Sequence, residues 1–229
     1  MYYYSTRNKK LKYGLKEAVL EGLAPDGGLF MPSHIPILAR EELEEMQDMN
    51  LTQIALKVSE LLFGEDISKE ALQTIVEDAI NFDTPLVKVE EDLYALELFH
   101  GPTLAFKDVG ARFLARLLGY YRKDMDSEIH VLVATSGDTG SAVANGFLDV
   151  PGVKVHVLYP SGLVSPLQEK QFTTLGSNIS AVEVQGSFDD CQKLVKDAFM
   201  DDDLSRKLTL TSANSINLAR FLPQAFYYF

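Results

Sequence analysis

The stretch HGPTLAFKDVGARF, His100–Phe113, sets a lysine at the head of a run otherwise patterned as a buried helix. Gly110, Phe113, Leu114, Leu117 and Tyr121 recur at spacings of three and four and mark one apolar face, with Arg112, Arg116 and Lys123 on the far side. Lys107 falls at the margin of that face in the predicted first turn, where the helix dipole presents its positive end. The dipole contributes only about 0.3–1 kcal/mol, but desolvation adds to it, and both favour the neutral amine. A neutral lysine amine is the nucleophile of imine chemistry. A plainer reading stands beside this one, in which Lys107 snorkels to solvent or pairs with Asp108 or another carboxylate.

A second constellation, ATSGDTGSA (Ala134–Ala142), begins where the run EIHVLVA ends and opens a helix rich in alanine and glycine. Strand, small polar loop and helix start together make an anion site. Ser136, Gly137, Thr139 and Gly140 lack bulk, so backbone N–H groups can approach a ligand, and the helix N-terminus favours negative charge. Asp138 would repel a bound anion unless its charge is turned away, which it is if the carboxylate caps the helix by accepting from the amide near Ser141. Ser165 and Ser187 read differently. SPLQ puts Ser165 at an N-cap with Pro166 at the first helical position and Gln168 where a capping box wants it, and SFDD repeats the arrangement at Ser187. A serine without a nearby base is a cap before it is a nucleophile.

The elements that must carry these residues divide the chain in two. Residues 1–83 hold helical patterns such as REELEEMQDM and TQIALKVSELLF around the turn cluster APDGG, and predict an N-terminal helical subdomain. Residues 84–229 alternate short β-branched runs (PLVKV, YALELF, EIHVLVA, VKVHVLY) with helical stretches, which predicts an α/β domain with a mainly parallel sheet flanked by helices. The length of 229 residues and the 46% hydrophobic content are ample for a packed core. A formal charge of −12, from 33 acids against 21 bases, disfavours nucleic acid and anionic membranes and leaves small molecules and proteins as partners. One cysteine, Cys191, cannot form an internal disulfide, no apolar run resembles a signal or a membrane span, and a reducing cytoplasm fits best.

Four segments, APDGGLFMP (Ala24–Pro32), ELFHGPTLAFKD (Glu97–Asp108), ATSGDTGSA and TSANSINLAR (Thr211–Arg220), together resemble the threonine synthases, pyridoxal-phosphate enzymes of the tryptophan synthase β-like group with fold type II. They occur in the family's order and span nearly the whole chain. The resemblance implies that Lys107 carries pyridoxal 5′-phosphate as a Schiff base and later serves as base, and that Ser136, Gly137, Thr139 and Gly140 receive the substrate carboxylate. It leaves Asp138 two roles, since sister enzymes place there an asparagine directed at the cofactor's 3′-oxygen: ring contact or helix cap. It brings His100 and Thr103 into the cleft beside the lysine. It also adds Asn214, with Ser212 and Asn217, from a segment where asparagine is equally a turn or cap residue. No metal ligand is implied.

The implied reaction is the conversion of O-phosphohomoserine and water to threonine and phosphate, with rival readings as a sister lyase or dehydratase, or as a non-catalytic anion-binding α/β domain. Arg7, Lys57 and Lys88 are available cations for a dianionic substrate, without a basis for choosing among them. Two features predict that the chain is the front portion of a longer protein, with its C-terminal half as the missing partner. The last pattern, NSINLARFLPQAFYYF, reads as an amphipathic helix with an exposed aromatic face around Phe221, Phe226 and Phe229 and no terminating signal. The family's glycine-rich grip for the cofactor phosphate lies downstream of NSIN, and no glycine-rich segment follows Asn217. On that reading the chain alone binds little cofactor and is inactive, and its oligomeric state stays open.

Overall fold

A computed structural model describes residues 1–229. The chain begins with strands β1 (Tyr3–Ser5) and β2 (Lys12–Tyr13), helix α1 (Leu15–Glu21) and strand β3 (Phe30–Pro32). The three strands form a small antiparallel sheet in the order β2-β1-β3, so the N-terminal region is not wholly helical. The APDGG cluster is the turn that closes this sheet: Asp26 accepts from Ser5 Oγ (2.6 Å) and from the Gly28 N–H (2.9 Å). Three helices follow, α2 (Arg40–Met46), α3 (Leu51–Phe63) and α4 (Lys69–Ala79). Asn50 and Ser68 cap the last two by accepting from the backbone of Gln53 and Ala71.

Strands β4 (Leu86–Glu90) and β5 (Leu93–Leu96) then form a separate antiparallel hairpin, β4 exposed along its length, rather than joining the parallel sheet as the alternation of PLVKV and YALELF suggested. Asp92 adopts φ +61° in the turn, which is too short for the crossover that parallel strands require. The remaining elements are α5 (Lys107–Arg122), β6 (Ile129–Ala134), α6 (Asp138–Phe147), β7 (Val153–Pro160), α7 (Pro166–Thr173), β8 (Ile179–Val184), α8 (Phe188–Met200), α9 (Asp202–Lys207), β9 (Thr209–Ser212), α10 (Leu218–Phe221) and a 3-10 helix over Leu222–Tyr228. Strands β8-β7-β6-β9 pair in that order, every pair parallel. The chain runs outward from β6 through β7 to β8 and then returns to the other side of β6. The strand order therefore reverses at β6, and the loop that follows β6 opens at the place where ligands gather in open α/β sheets.

One continuous hydrophobic core joins the N-terminal elements to the parallel sheet, with Phe63 stacked on Phe113 of α5 at 5.4 Å between ring centroids. Helix α5 is the central post of this core and is buried nearly all round, so the side opposite Phe113 does not face solvent. Arg112 is buried there and donates to the carbonyls of Ala79 and Asp78 (both 2.7 Å) and to Asn81 Oδ1 (3.1 Å), satisfying the last turn of α4 with a cation at its negative end. At Gly110 α10 comes so close that a Cβ would strike the carbonyl oxygen of Arg220. The aromatic ending is also more enclosed than its pattern implied. Pro223 near the start of the 3-10 segment breaks the α-helical phase, and Phe226 turns inward to meet Phe113 edge-on at 5.7 Å, fully buried. Tyr228 and Phe229 remain exposed. No helix is long and apolar enough to cross a membrane.

Candidate active site

Lys107 occupies the first helical position of α5, and the turns before it hold it there. Asp108, almost wholly buried, accepts from the Thr103 N–H (2.9 Å) and the Thr103 hydroxyl (2.6 Å), which ties the preceding loop to the helix start. Thr103 therefore spends its hydroxyl on Asp108 and not on the cleft. Asp108 is likewise turned away from Lys107. Its charge faces that of Arg220, whose guanidinium burial pushes down to about 10 while Asp108 opposes the shift. Arg220 in turn donates to the carbonyl of Ala213, so the start of α5 and the segment after β9 are held by neighbouring buried charges.

The side chain of Lys107 is 24% exposed, with Nζ 3.2 Å from Asp138 Oδ2 and 4.5 Å from the Phe106 ring centroid. Lysine and loop thus meet, although 31 residues separate them in sequence. The partner of Lys107 is Asp138, for which a helix cap is one of two expected roles. That cap does not form. Asp138 is the first residue of α6 and makes no capping bond, because the Ser141 N–H is already taken by the Gly137 carbonyl at 3.1 Å. The free carboxylate accepts from Lys107 through one oxygen and from Gln168 Nε2 through the other.

The loop itself is organised by Thr135, which is fully buried. Its Oγ1 accepts from the N–H groups of Gly137 (2.9 Å) and Gly140 (2.7 Å) and donates to the Gly137 carbonyl (3.0 Å). Gly137 and Gly140 therefore shape the loop and do not offer their amides to a ligand. The amides without a protein acceptor are those of Ser136, Asp138 and Thr139, at the positive end of α6. Gly137 takes φ +144°, a conformation that L side chains rarely adopt, and a Cβ on it would lie 2.6 Å from Gln168 Oε1.

The remaining candidates divide. His100 bonds Glu97 Oε2 at 2.7 Å and lies against the Phe99 ring at 4.8 Å, with no contact to Lys107. Asn217 is buried and is the N-cap of α10, accepting from the Ala219 N–H and donating to the carbonyls of Val19 and Ser212. Ser212 Oγ accepts from the Asn214 N–H at 3.2 Å. Asn214 is half-buried, and extending the pairing of Leu132 with Ser212 by two residues sets it beside Ala134, on the same rim as the loop. Lys57 is engaged by Glu42 and Glu45 (3.5 and 3.4 Å), while Lys88 lies on the exposed strand β4. A groove of about 650 Å³ between α4, α5 and the turn before β7, lined by Asp78, Arg116, Arg122 and Lys123, includes neither Lys107 nor the loop.

A primary amine, its carboxylate and a donor-rich helix start thus meet on one rim at a strand-order reversal. Residues 2–80 match the family described as threonine synthase N terminus, and residues 78–221 match the pyridoxal-phosphate dependent enzymes. The chain belongs to the pyridoxal-phosphate dependent enzyme family, in its threonine synthase branch. The threonine synthase of Escherichia coli K12 is 46% identical over 226 residues, covering 99% of this chain and 52% of that protein. Its crystal structure superposes with a TM-score of 0.90 at 45% identity, over 100% of this chain and 53% of that one. The pyridoxal-phosphate-bound threonine synthase of Brucella melitensis superposes with a TM-score of 0.93 at 39% identity, over 100% of this chain and 50% of that one. The chain thus spans about half the length of the relatives it matches, and its architecture is fold type II.

The residues present fit the lysine side of a pyridoxal-phosphate site: an accessible amine at a helix start, a carboxylate at 3.2 Å and unpaired amides on the neighbouring loop. Thr135 and Gln168 are the site residues that sequence reasoning missed. Thr135 stood inside the quoted loop motif, and Gln168 stood in a capping pattern that accounted for it fully.

Proposed function

We propose that this chain carries the lysine side of a threonine synthase site, which converts O-phosphohomoserine and water to threonine and phosphate. The convergence of Lys107 Nζ and Asp138 at 3.2 Å, on a loop with unpaired amides, carries the reading. Pyridoxal phosphate, when bound, supplies a carbonyl for the lysine amine and an electron sink for charge developing at the substrate Cα. Lys107 moves the protons. One must leave Cα and one Cβ before phosphate departs from Cγ, one is delivered to Cγ to complete the methyl group, and one returns to Cα after water has added its hydroxyl at Cβ, the proton left over from water going to the released phosphate. The amides of Ser136, Asp138 and Thr139 take the substrate carboxylate at the α6 N-terminus, in a loop whose shape Gly137 and Gly140 permit. Asp138 holds Lys107 by charge, Thr103 and Asp108 fix the start of α5, and Asn214 borders the substrate from the β9 side.

The test is chemical trapping. The chain is incubated with excess pyridoxal phosphate and reduced with borohydride, and the pyridoxyl group is mapped by peptide mass spectrometry. Selective labelling of Lys107, lost in Lys107→Ala, is the expected result. Labelling spread evenly over exposed lysines such as Lys88 and Lys154 would refute the assignment.

A further inference from the structure

We infer that Gln168 is a positioning residue for Lys107: its amide fixes the Asp138 carboxylate so that the second oxygen stays on the lysine Nζ. The inference rests on the reading of Lys107 as the reactive amine. Helix α7 lays its first turn over the 135–140 loop, with Ser141 Oγ donating to the Gln168 carbonyl at 3.4 Å. From there the Gln168 side chain reaches Asp138 Oδ1 through Nε2, while its Oε1 accepts from Ser165 Oγ at 3.0 Å. The two contacts set the amide one way round, because a carboxylate accepts only from the NH₂ group and the hydroxyl then donates to the carbonyl. In a capping box Gln168 would fold back on the backbone of Ser165. Here Ser165 Oγ accepts the Gln168 N–H (3.4 Å), and the amide is left free to serve the loop.

Three observations converge on this role. Asp138 makes no cap, so nothing in its own helix fixes its carboxylate. Gly137 leaves open the space that the Gln168 amide fills, with Oε1, Cδ and Nε2 at 2.6, 2.8 and 2.9 Å from where a Cβ would stand. A neutral amide occupies one carboxylate oxygen without bringing a cation, which leaves the charge of Asp138 for Lys107 alone. Arginine or lysine at 168 would compete for that charge.

The test reads Lys107 without the cofactor. The 229-residue chain is reductively methylated across a pH series, and the fraction of Lys107 modified is followed by mass spectrometry, with Lys88 and Lys196 as internal references. In Gln168→Met, which keeps the bulk and loses the donor, the carboxylate is free to rotate. Lys107 should then be modified roughly threefold to tenfold faster at fixed pH relative to the references. Asp138→Asn should move it further in the same direction, and in the Asp138→Asn background Gln168→Met should add nothing. A Lys107 profile unmoved relative to the references, or an equal shift from Gln168→Met in both backgrounds, overturns the proposal. Gln168→Ala repeats the comparison should the methionine variant fail to fold. Should the pyridoxyl label miss Lys107 while these profiles still move together, the proposed function falls and the positioning role stands.

Discussion

Replacing Gly137 by alanine probes the loop through its backbone. The residue takes φ +144° and ψ −95°, where an L side chain is strained, and such strain costs on the order of 1–3 kcal/mol. The new methyl would also sit 2.6 Å from Gln168 Oε1, well inside contact distance, so the amide must move. That side chain is held by Asp138 and Ser165, and displacing it gives up about 1 kcal/mol of hydrogen bonding. The sum is about 2–4 kcal/mol, which for a chain of this size lowers Tm by roughly 4–16 °C. Gly176→Ala is the matched control, because Gly176 also has positive φ (+64°) but a Cβ there meets nothing within 4 Å. It should cost only the left-handed penalty of about 1–2 kcal/mol. Thermal unfolding followed by circular dichroism compares the two. If Gly137→Ala melts no lower than Gly176→Ala, the loop is not built around the Gln168 amide and the steric argument fails.

Arg112→Met should destabilise by about 2–4 kcal/mol, since the α4 carbonyls of Asp78 and Ala79 lose their donors in a buried setting; a urea midpoint equal to that of the parent would show that Arg112 does not join α4 to α5. His130 and His156 stack at 5.4 Å with ring nitrogens 3.1 Å apart, and burial lowers both below the usual 6.5, helped by Lys154 at His130 and by His130 and then Lys154 at His156. The unfolded chain then binds protons more readily than the folded one, so stability is full above pH 6.5 and is lost as the pH falls below it. Denaturant midpoints across that range should fall less steeply in His156→Gln, and an unchanged slope would exclude the pair as the cause.

The parts of the fold legible in the sequence are those where local pattern and tertiary role coincide. The runs IHVLVA and VKVHVLYP announced parallel strands, and Ser165 and Ser187 announced helix starts, because burial and capping leave a periodic or positional mark. Where one segment's pattern is compatible with two partners, the pattern is silent. PLVKV and YALELF are strand-like whether they join the main sheet or pair with each other, and only the tight turn at Asp92 decides. Arg112 falls on the polar side of a wheel, yet that side faces the end of another helix, so its charge meets carbonyls and not water. Helical phase reports how many faces are apolar and says nothing of what a polar face touches.

The site shows the same limit more sharply. A lysine at a helix start and a run of small residues after a strand stand out in the sequence, but the bond that joins Lys107 to the 136–140 loop is invisible in one dimension. The residues alone offer Asp138 as a cap that turns its charge from a bound anion, beside the ring contact that the resemblance leaves open. Its partners are 31 and 30 residues away, on α5 and on α7. Gln168 is masked for the opposite reason: the SPLQ pattern gives it a local role at Ser165, and nothing in the sequence marks its amide as free to reach Asp138. The two errors have one physical origin. A side chain long enough to leave its own turn can spend its polar end elsewhere, and strand order settles where. The reversal at β6 brings the start of α6 to the rim, α7 crosses above it, and α5 begins its buried course with the half-buried Lys107 at the same place. Residues fixed by such crossings carry a mark only in what their neighbours lack. Gly137 bears that mark, since the side chain it omits is the space the Gln168 amide occupies.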